Sequence, residues 1–172
     1  MISRLTANDL NNALDDLTEI LHACVHDGAS IGFIQPFPSD DAQRYWQSHV
    51  WPNIQTGAAE IFVYRDGERI VGTAQLVPAA MPNQAHRADV SKLLVHPRAR
   101  RRGIGRALMA AVEARARELG RSLLVLDTRS TDPSLLLYQS LGFEIAGEIP
   151  NYCRSPENDR LEPTTFMFKD LS

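Results

Sequence analysis

With 172 residues, of which 44% are hydrophobic and 23% charged, the chain is long enough to bury one core and too ordinary for a fibrous, disordered or low-complexity class. A formal net charge of −3 argues against a general nucleic-acid binder, and no apolar run approaches the roughly 20 residues that cross a bilayer. Cys24 and Cys153 lie far apart and suit free thiols in a reducing compartment, and the N-terminus has no apolar leader, so the expectation is a single domain over residues 1–172 in the cytoplasm.

Residues 2–5 can form a first strand. Thr6 or Asn8 can then cap a helix in which Leu10, Leu14, Leu17, Leu21 and Val25 recur at spacings of three and four, ending near Asp27-Gly28. The small residues at 29–33 make a loop that can lie against a ligand or simply connect. After Pro36-Phe37-Pro38, Ser39 opens a second amphipathic helix containing Tyr45, Trp46 and Val50, which Pro52 should kink or end. Phe33, Phe37 and Trp46 suit either the core or a pocket wall. From Glu60 the rhythm is that of strands: 61–64 and 70–77 flank an Asp66-Gly67 turn, a strong hairpin signal, and 88–95 adds a third strand.

The most informative stretch runs from 92 to 106. An apolar strand ends at Pro97, a basic turn carries Arg98, Arg100, Arg101 and Arg102, and Gly103 and Gly105 open a helix that begins at Ile104 and includes Arg106. Amides without helical partners, glycines that admit close approach, the helix dipole and the guanidinium groups all favour a pyrophosphate there. Neither the P-loop spacing nor the Gly-x-Gly-x-x-Gly dinucleotide fingerprint is present, which leaves an ordinary strand-to-helix turn as the competing reading.

The helix carries Leu108, Met109, Val112, Ala116 and Leu119 on one face and should stop at Gly120; an apolar strand at 123–126 follows. Strand, helix and strand in that order imply a right-handed parallel crossover joining 92–95 to 123–126. Thr131 or Asp132 can cap a short helix with Pro133 at its first position and Tyr138 near its end. Residues 143–149 and 165–169 read as two further strands around a polar loop at 155–160.

Arg100-Arg101-Arg102-Gly103-Ile104-Gly105 matches the Arg/Gln-x-x-Gly-x-Gly/Ala signature of the GNAT-type N-acetyltransferases, after a strand ending Leu94-Val95-His96-Pro97, and the chain resembles that family. The resemblance implies an α/β (mixed α+β) domain: a mostly antiparallel twisted sheet of about seven strands, with one parallel pair splayed at an acetyl-CoA site, flanked by about four helices. It implies acetyl-CoA as cosubstrate and no metal, with contacts from Leu94, Val95, Arg100, Arg101, Arg102, Gly103, Ile104, Gly105, Arg106 and Thr131, the last standing where many relatives have Asn. Further blocks at 28–33, 87–93, 126–128 and 147–150 with 152–153 are similar to a member that acetylates a small β-lactam amino-acid toxin.

The family pattern also assigns chemistry. Tyr138, ahead of Leu141-Gly142-Phe143, matches the phenol that protonates the departing thiolate; as a residue it is equally at home in a core. Asp89 and Asp127 match acidic positions and should end near one crevice, although a surface charge and a helix cap are their ordinary readings. A carboxylate of pKa about 4 is a poor direct base for an ammonium of about 10, so the pair is expected to attract the cation and relay its proton through water. His22, His26, His49, His86 and His96 show no metal-ligand spacing, and direct transfer needs no Cys153 nucleophile. The expected activity is acetylation of a primary amine on a small amino-acid-like molecule by a monomer or homodimer. Acetylation of a protein N-terminus or lysine, and a non-catalytic acyl-CoA-binding regulator, are the alternatives.

Overall fold

Seven strands, β1 (Ile2–Leu5), β2 (Glu60–Asp66), β3 (Arg69–Pro78), β4 (Arg87–Val95), β5 (Leu123–Arg129), β6 (Glu144–Arg154) and β7 (Leu161–Asp170), form one sheet in the computed structural model, which covers residues 1–172. Their order is β1-β2-β3-β4-β5-β7-β6, and every neighbouring pair is antiparallel except β4 and β5. On one face lie α1 (Leu10–His26), α2 (Ser39–Tyr45) and α3 (Trp51–Gln55); on the other lie α4 (Ile104–Glu118) and α5 (Ser134–Ser140). Each face has its own core, so β2 and β3 send alternate residues into both: Ile61 and Val63 to the α1 side, Phe62 and Ala74 to the α4 side. The mixed sheet with a single parallel pair is the architecture the sequence implies.

The apolar stripe of α1 puts Ala13, Leu14, Leu17, Ile20, Leu21, Cys24 and Val25 in the core, each large aliphatic side chain contributing on the order of 1.5–3 kcal/mol. The helix stops at Gly28, whose φ of +80° lets its amide reach the Val25 carbonyl (3.1 Å) while Ala29 reaches that of Cys24 (3.0 Å). That closure fixes where the following loop leaves. The helix expected around Pro52 is interrupted upstream of the proline: Pro52 has no N–H for the Ser48 carbonyl, and the rod widens into a π-helical turn at Trp46–Val50 before restarting as α3. Counting α2 and α3 as one interrupted rod leaves four helical units.

Two irregularities shape the site. Between β3 and β4, Gln75 pairs with Ser91 and Thr73 with Leu94, so Ala74 alone on β3 opposes both Lys92 and Leu93 on β4, and Lys92 takes a φ of +49°. The parallel ladder with β5 spans only Arg87, Ala88 and Asp89, opposite Leu123, Leu124 and Val125. The crossover therefore joins the first half of β4, not the 92–95 segment read from the sequence, because the bulge bends the second half away. A second break lies between Ile149 and Cys153 of β6, with Asn151 at φ +55°; Pro163 stands opposite it, where the β6–β7 ladder is interrupted. β6 and β7 consequently extend beyond the ranges that Pro150 and Pro163 suggest.

Candidate active site

The basic turn leads from β4 into α4 through Gly103, which caps the helix at φ +77°, a region that a residue with Cβ enters at a cost of about 1–2 kcal/mol. Arg101 is also left-handed, at φ +62°. The first amide to find a backbone acceptor is that of Ala107, on the Gly103 carbonyl (3.0 Å); those of residues 101–106 donate to no protein group. Six consecutive free donors at the positive end of a helix make an anion cradle.

The arginines divide by partner. Arg100 is tied to the Asp27 carboxylate and to the Val95 carbonyl (3.2 Å), which also accepts from the Cys24 thiol (3.5 Å). Arg102 pairs with Asp66 at 2.8 Å and does not line the cavity, and Arg98 lies in a separate shallow groove beside His96 and Arg69. Arg106 reaches Ser140 Oγ (2.8 Å), while Arg101 has no side-chain partner; both border the cavity. Gly105 differs from Gly103 in its constraint: a Cβ there would stand 3.1 Å from Leu137 Cδ2, whereas at Gly103 it would meet nothing within 4 Å.

From the cradle a cavity of about 950 Å³, at the upper end of small-molecule sites at ~300–1,000 Å³, runs into the gap between the parted strands. Residues of both sheet faces line it. Ile104, Leu137 and Tyr138 come from the α4 side, and Ile31, Lys92, Asp127 and Tyr152 from the α1 side, with Leu94 and Val95 along the β4 edge. Tyr138 is 7% exposed, and its hydroxyl makes no hydrogen bond within the protein. Burial, then the charges of Asp132 and Asp127, raises its pKa well above the ordinary phenol value, so the phenol keeps its proton. Asp132 Oδ1 accepts from the Ser134 amide (2.9 Å) and starts α5; Thr131 is exposed and stands outside the cavity lining.

Asp127 follows Leu126 on β5 and so points to the opposite face from that core residue, into the cavity. Burial raises its carboxyl above the ordinary range, Lys92 opposes that, and Asp89 adds to it. Asp89 shares that face but does not line the cavity; its carboxylate is taken by Arg87 at 2.7 Å, two residues away along the same side of β4. The crevice expected to hold both acids thus holds Asp127, with Asp89 one step outside. Lys92 is the residue that sequence reasoning passed over. Its bulged backbone turns Nζ to the Ile31 carbonyl (2.8 Å), over the rings of Phe33 and Tyr45 (both 5.5 Å to the centroid). Burial lowers its pKa and Asp127 raises it. Phe37 and fully buried Trp46 belong to the core, and Phe33 packs against it beneath Lys92; none of the three lines the cavity.

The loop after α1 and β6 meet in the wall of the cavity, where Ser30 Oγ lies 3.4 Å from Cys153 Sγ. Outside the lining, the Gln35 amide bonds the Pro156 carbonyl (2.8 Å), and Ser155 and Pro156 are buried, so the loop after α1 also touches the β6–β7 loop. No cluster of three or more His, Cys, Asp or Glu side chains is placed to hold a metal ion, and no helix is long and apolar enough to cross a membrane.

An anion cradle at a helix start, a slot between parted parallel strands and a buried phenol opposite a carboxylate are the parts of an acyl-CoA-using transferase. Residues 14–143 match the model of the acetyltransferase (GNAT) family. The chain is 36% identical over 120 residues to an N-acetyltransferase of Azospirillum brasilense from the hisH–hisA intergenic region, covering 69% of each chain. It is 35% identical over 121 residues to human N-acetyltransferase 8 and spans 53% of that protein's length, with 62% of its own residues aligned. A ribosomal-protein-alanine N-acetyltransferase from Brucella melitensis has the same fold, with a TM-score of 0.79 at 24% identity over 99% of both chains. So does a phosphinothricin acetyltransferase from Sinorhizobium meliloti in complex with acetyl-CoA, with a TM-score of 0.78 at 24% identity over 100% of this chain and 88% of that one. The chain belongs to the acetyltransferase (GNAT) family and is an acetyl-CoA-dependent N-acetyltransferase.

Proposed function

We propose that the chain transfers acetyl from acetyl-CoA directly to the primary amine of a small, amino-acid-like molecule, toxins and antibiotics included, as a monomer or homodimer in the cytoplasm. One observation carries the choice of a small acceptor: the Ser30–Cys153 contact (3.4 Å) joins the loop after α1 to β6 within the cavity wall, where a protein N-terminus or lysine would need an open groove. The blocks at 28–33, 87–93, 126–128 and 147–150 with 152–153 support it through their resemblance to the tabtoxin resistance protein. Two free thiols suit the compartment.

In this reading the amides of residues 101–106, with Arg101 and Arg106, receive the pyrophosphate, while Gly103, Ile104 and Gly105 supply the close-approach backbone. Arg100 and Arg102, held by Asp27 and Asp66, keep the turn in shape, and Thr131 stands at the rim. The β4 edge at Leu94 and Val95 takes the extended arm. Asp127 attracts the ammonium and passes its proton to water, with Asp89 adding negative potential from the same sheet face. The amine nitrogen then bonds to the thioester carbon as the C–S bond breaks, and the Tyr138 hydroxyl protonates the leaving sulfur; the phenolate is reprotonated from solvent, which received the ammonium's proton.

The test is an acetyl-CoA consumption screen over amino acids, amine antibiotics, N-terminal peptides and lysine peptides, with acetyl-CoA binding measured in parallel. Consumption with small amines is expected. Preference for peptides would overturn the acceptor assignment, and binding without consumption by any amine would make the chain an acyl-CoA-binding regulator.

A further inference from the structure

Lys92 holds a charge that the fold does not neutralise by contact. Its one hydrogen bond inside the protein is to the Ile31 carbonyl, it forms no ion pair, and an ammonium has three donors to satisfy. Arg129, the other cation near this end of the cavity, is matched by Glu162 (3.2 Å) and Asp132 (3.4 Å). The rings of Phe33 and Tyr45 (both 5.5 Å) ease the partial withdrawal of this cation from water but give it no counter-ion, so an anion entering the cavity would meet an unmatched charge. Asp127 offers the opposite charge in the same cavity, close enough for each to perturb the other's titration. A monoamine docking on Asp127 would bring a second cation toward Lys92. A molecule with both an amine and a carboxylate satisfies both groups.

We infer that Lys92 receives the acceptor's carboxylate while Asp127 receives its ammonium, so that the substrates are zwitterionic amino acids. This rests on the reading of the chain as a small-amine acetyltransferase and adds a specificity residue to it. The alternative is a strut that holds the 29–33 loop through the Ile31 carbonyl.

The experiment compares amino acids with the amines that lack only the α-carboxylate: L-serine and ethanolamine, L-lysine and cadaverine, L-tyrosine and tyramine. The wild type should favour the acid member by roughly 10- to 100-fold in kcat/KM, the range of a hydrogen bond to a charged group. Lys92→Met should bring the two members within about 3-fold of each other while acetyl-CoA affinity and thermal midpoint stay close to wild type. Lys92→Arg should keep the preference for the acid. Equal loss on both members in Lys92→Met would make Lys92 a strut and overturn the inference. A wild type that favours the amines would also overturn it while leaving the acetyltransferase reading intact. Acetylation of neither member of any pair overturns it too, and bound acetyl-CoA in that case would still support the donor site.

Discussion

Replacing Tyr138 with phenylalanine removes one hydroxyl and leaves the ring in place, 5.8 Å from that of Phe143 between centroids. Because the hydroxyl has no hydrogen-bond partner in the protein, nothing buried is stranded, and stability should move by less than about 1 kcal/mol. Burial keeps the phenol protonated throughout the working pH range, so its removal takes away a donor that is always loaded. Loss of a positioned acid should slow acetyl transfer by about 10²- to 10⁴-fold, equivalent to about 2.7–5.4 kcal/mol on the barrier. The assay is single-turnover loss of thioester absorbance from enzyme saturated with acetyl-CoA and mixed with the best amine from the screen, alongside urea unfolding of both proteins. On the alkaline side the two pH profiles should run parallel, since no phenol titrates there. An unchanged single-turnover rate in a protein of unchanged stability would remove Tyr138 from the chemistry.

At Gly105 an alanine methyl meets the flexible end of Leu137 closely and that of Leu93 in ordinary contact, but valine's branches should drive the cavity-lining Leu137 side chain into the donor's path; Gly105→Val should weaken acetyl-CoA binding by about 10-fold or more in calorimetry and Gly105→Ala far less, and equal affinities would refute the packing account. Burial raises the folded-state pKa of Asp127 above its unfolded value, so ionisation destabilises the fold as pH climbs through those two values. Asp127→Asn should thus lower kcat/KM yet raise the urea midpoint at neutral pH, a gain that vanishes below about pH 4, where the unfolded carboxyl is also protonated; a variant less stable than wild type at neutral pH would contradict this. Fully buried Trp46 gives its indole N–H to the Leu17 carbonyl at 2.8 Å, and Trp46→Phe should cost about 1–3 kcal/mol in urea unfolding with acetyl-CoA affinity retained; a change in affinity without loss of stability would point to a pocket role instead.

What could be read before folding was whatever depends on near neighbours in sequence. The stripe and terminal glycine of α1, the Asp66-Gly67 hairpin and the Gly103-Ile104-Gly105 helix start each show their cause within a dozen residues. Arg100 and Arg102 look equivalent to Arg101 in the sequence because the acids that occupy them, Asp27 and Asp66, lie 73 and 36 residues away. Asp89 shares its strand face with Arg87, which binds it; in a strand, residues two apart share a side, so this pairing is legible in the sequence. The aromatics at 33, 37 and 46 went to the core and its edge because burying so much apolar area outweighs lining a wet pocket.

The slot and the placement of the Lys92 ammonium in it have a common origin in the bulge at Lys92. Ala88 and Val90 pack toward α4, and strict alternation would send Lys92 and Leu94 after them. Instead Leu93 and Val95 pack on that side, while Leu94 enters the α1 core and Lys92 turns to Ile31. The even-numbered apolar phase becomes odd at the point where Ser91 and Lys92 place two polar residues in succession, so the break is written in the strand itself. The same extra residue bends β4 out of its ladder with β5 after Asp89, opening the edge along which an extended donor can lie. Substitutions at Lys92 therefore separate into two kinds. Methionine removes the charge and tolerates the φ of +49° about as lysine does, so the slot should persist; valine, whose β-branch resists that backbone region, should disturb donor and acceptor binding together.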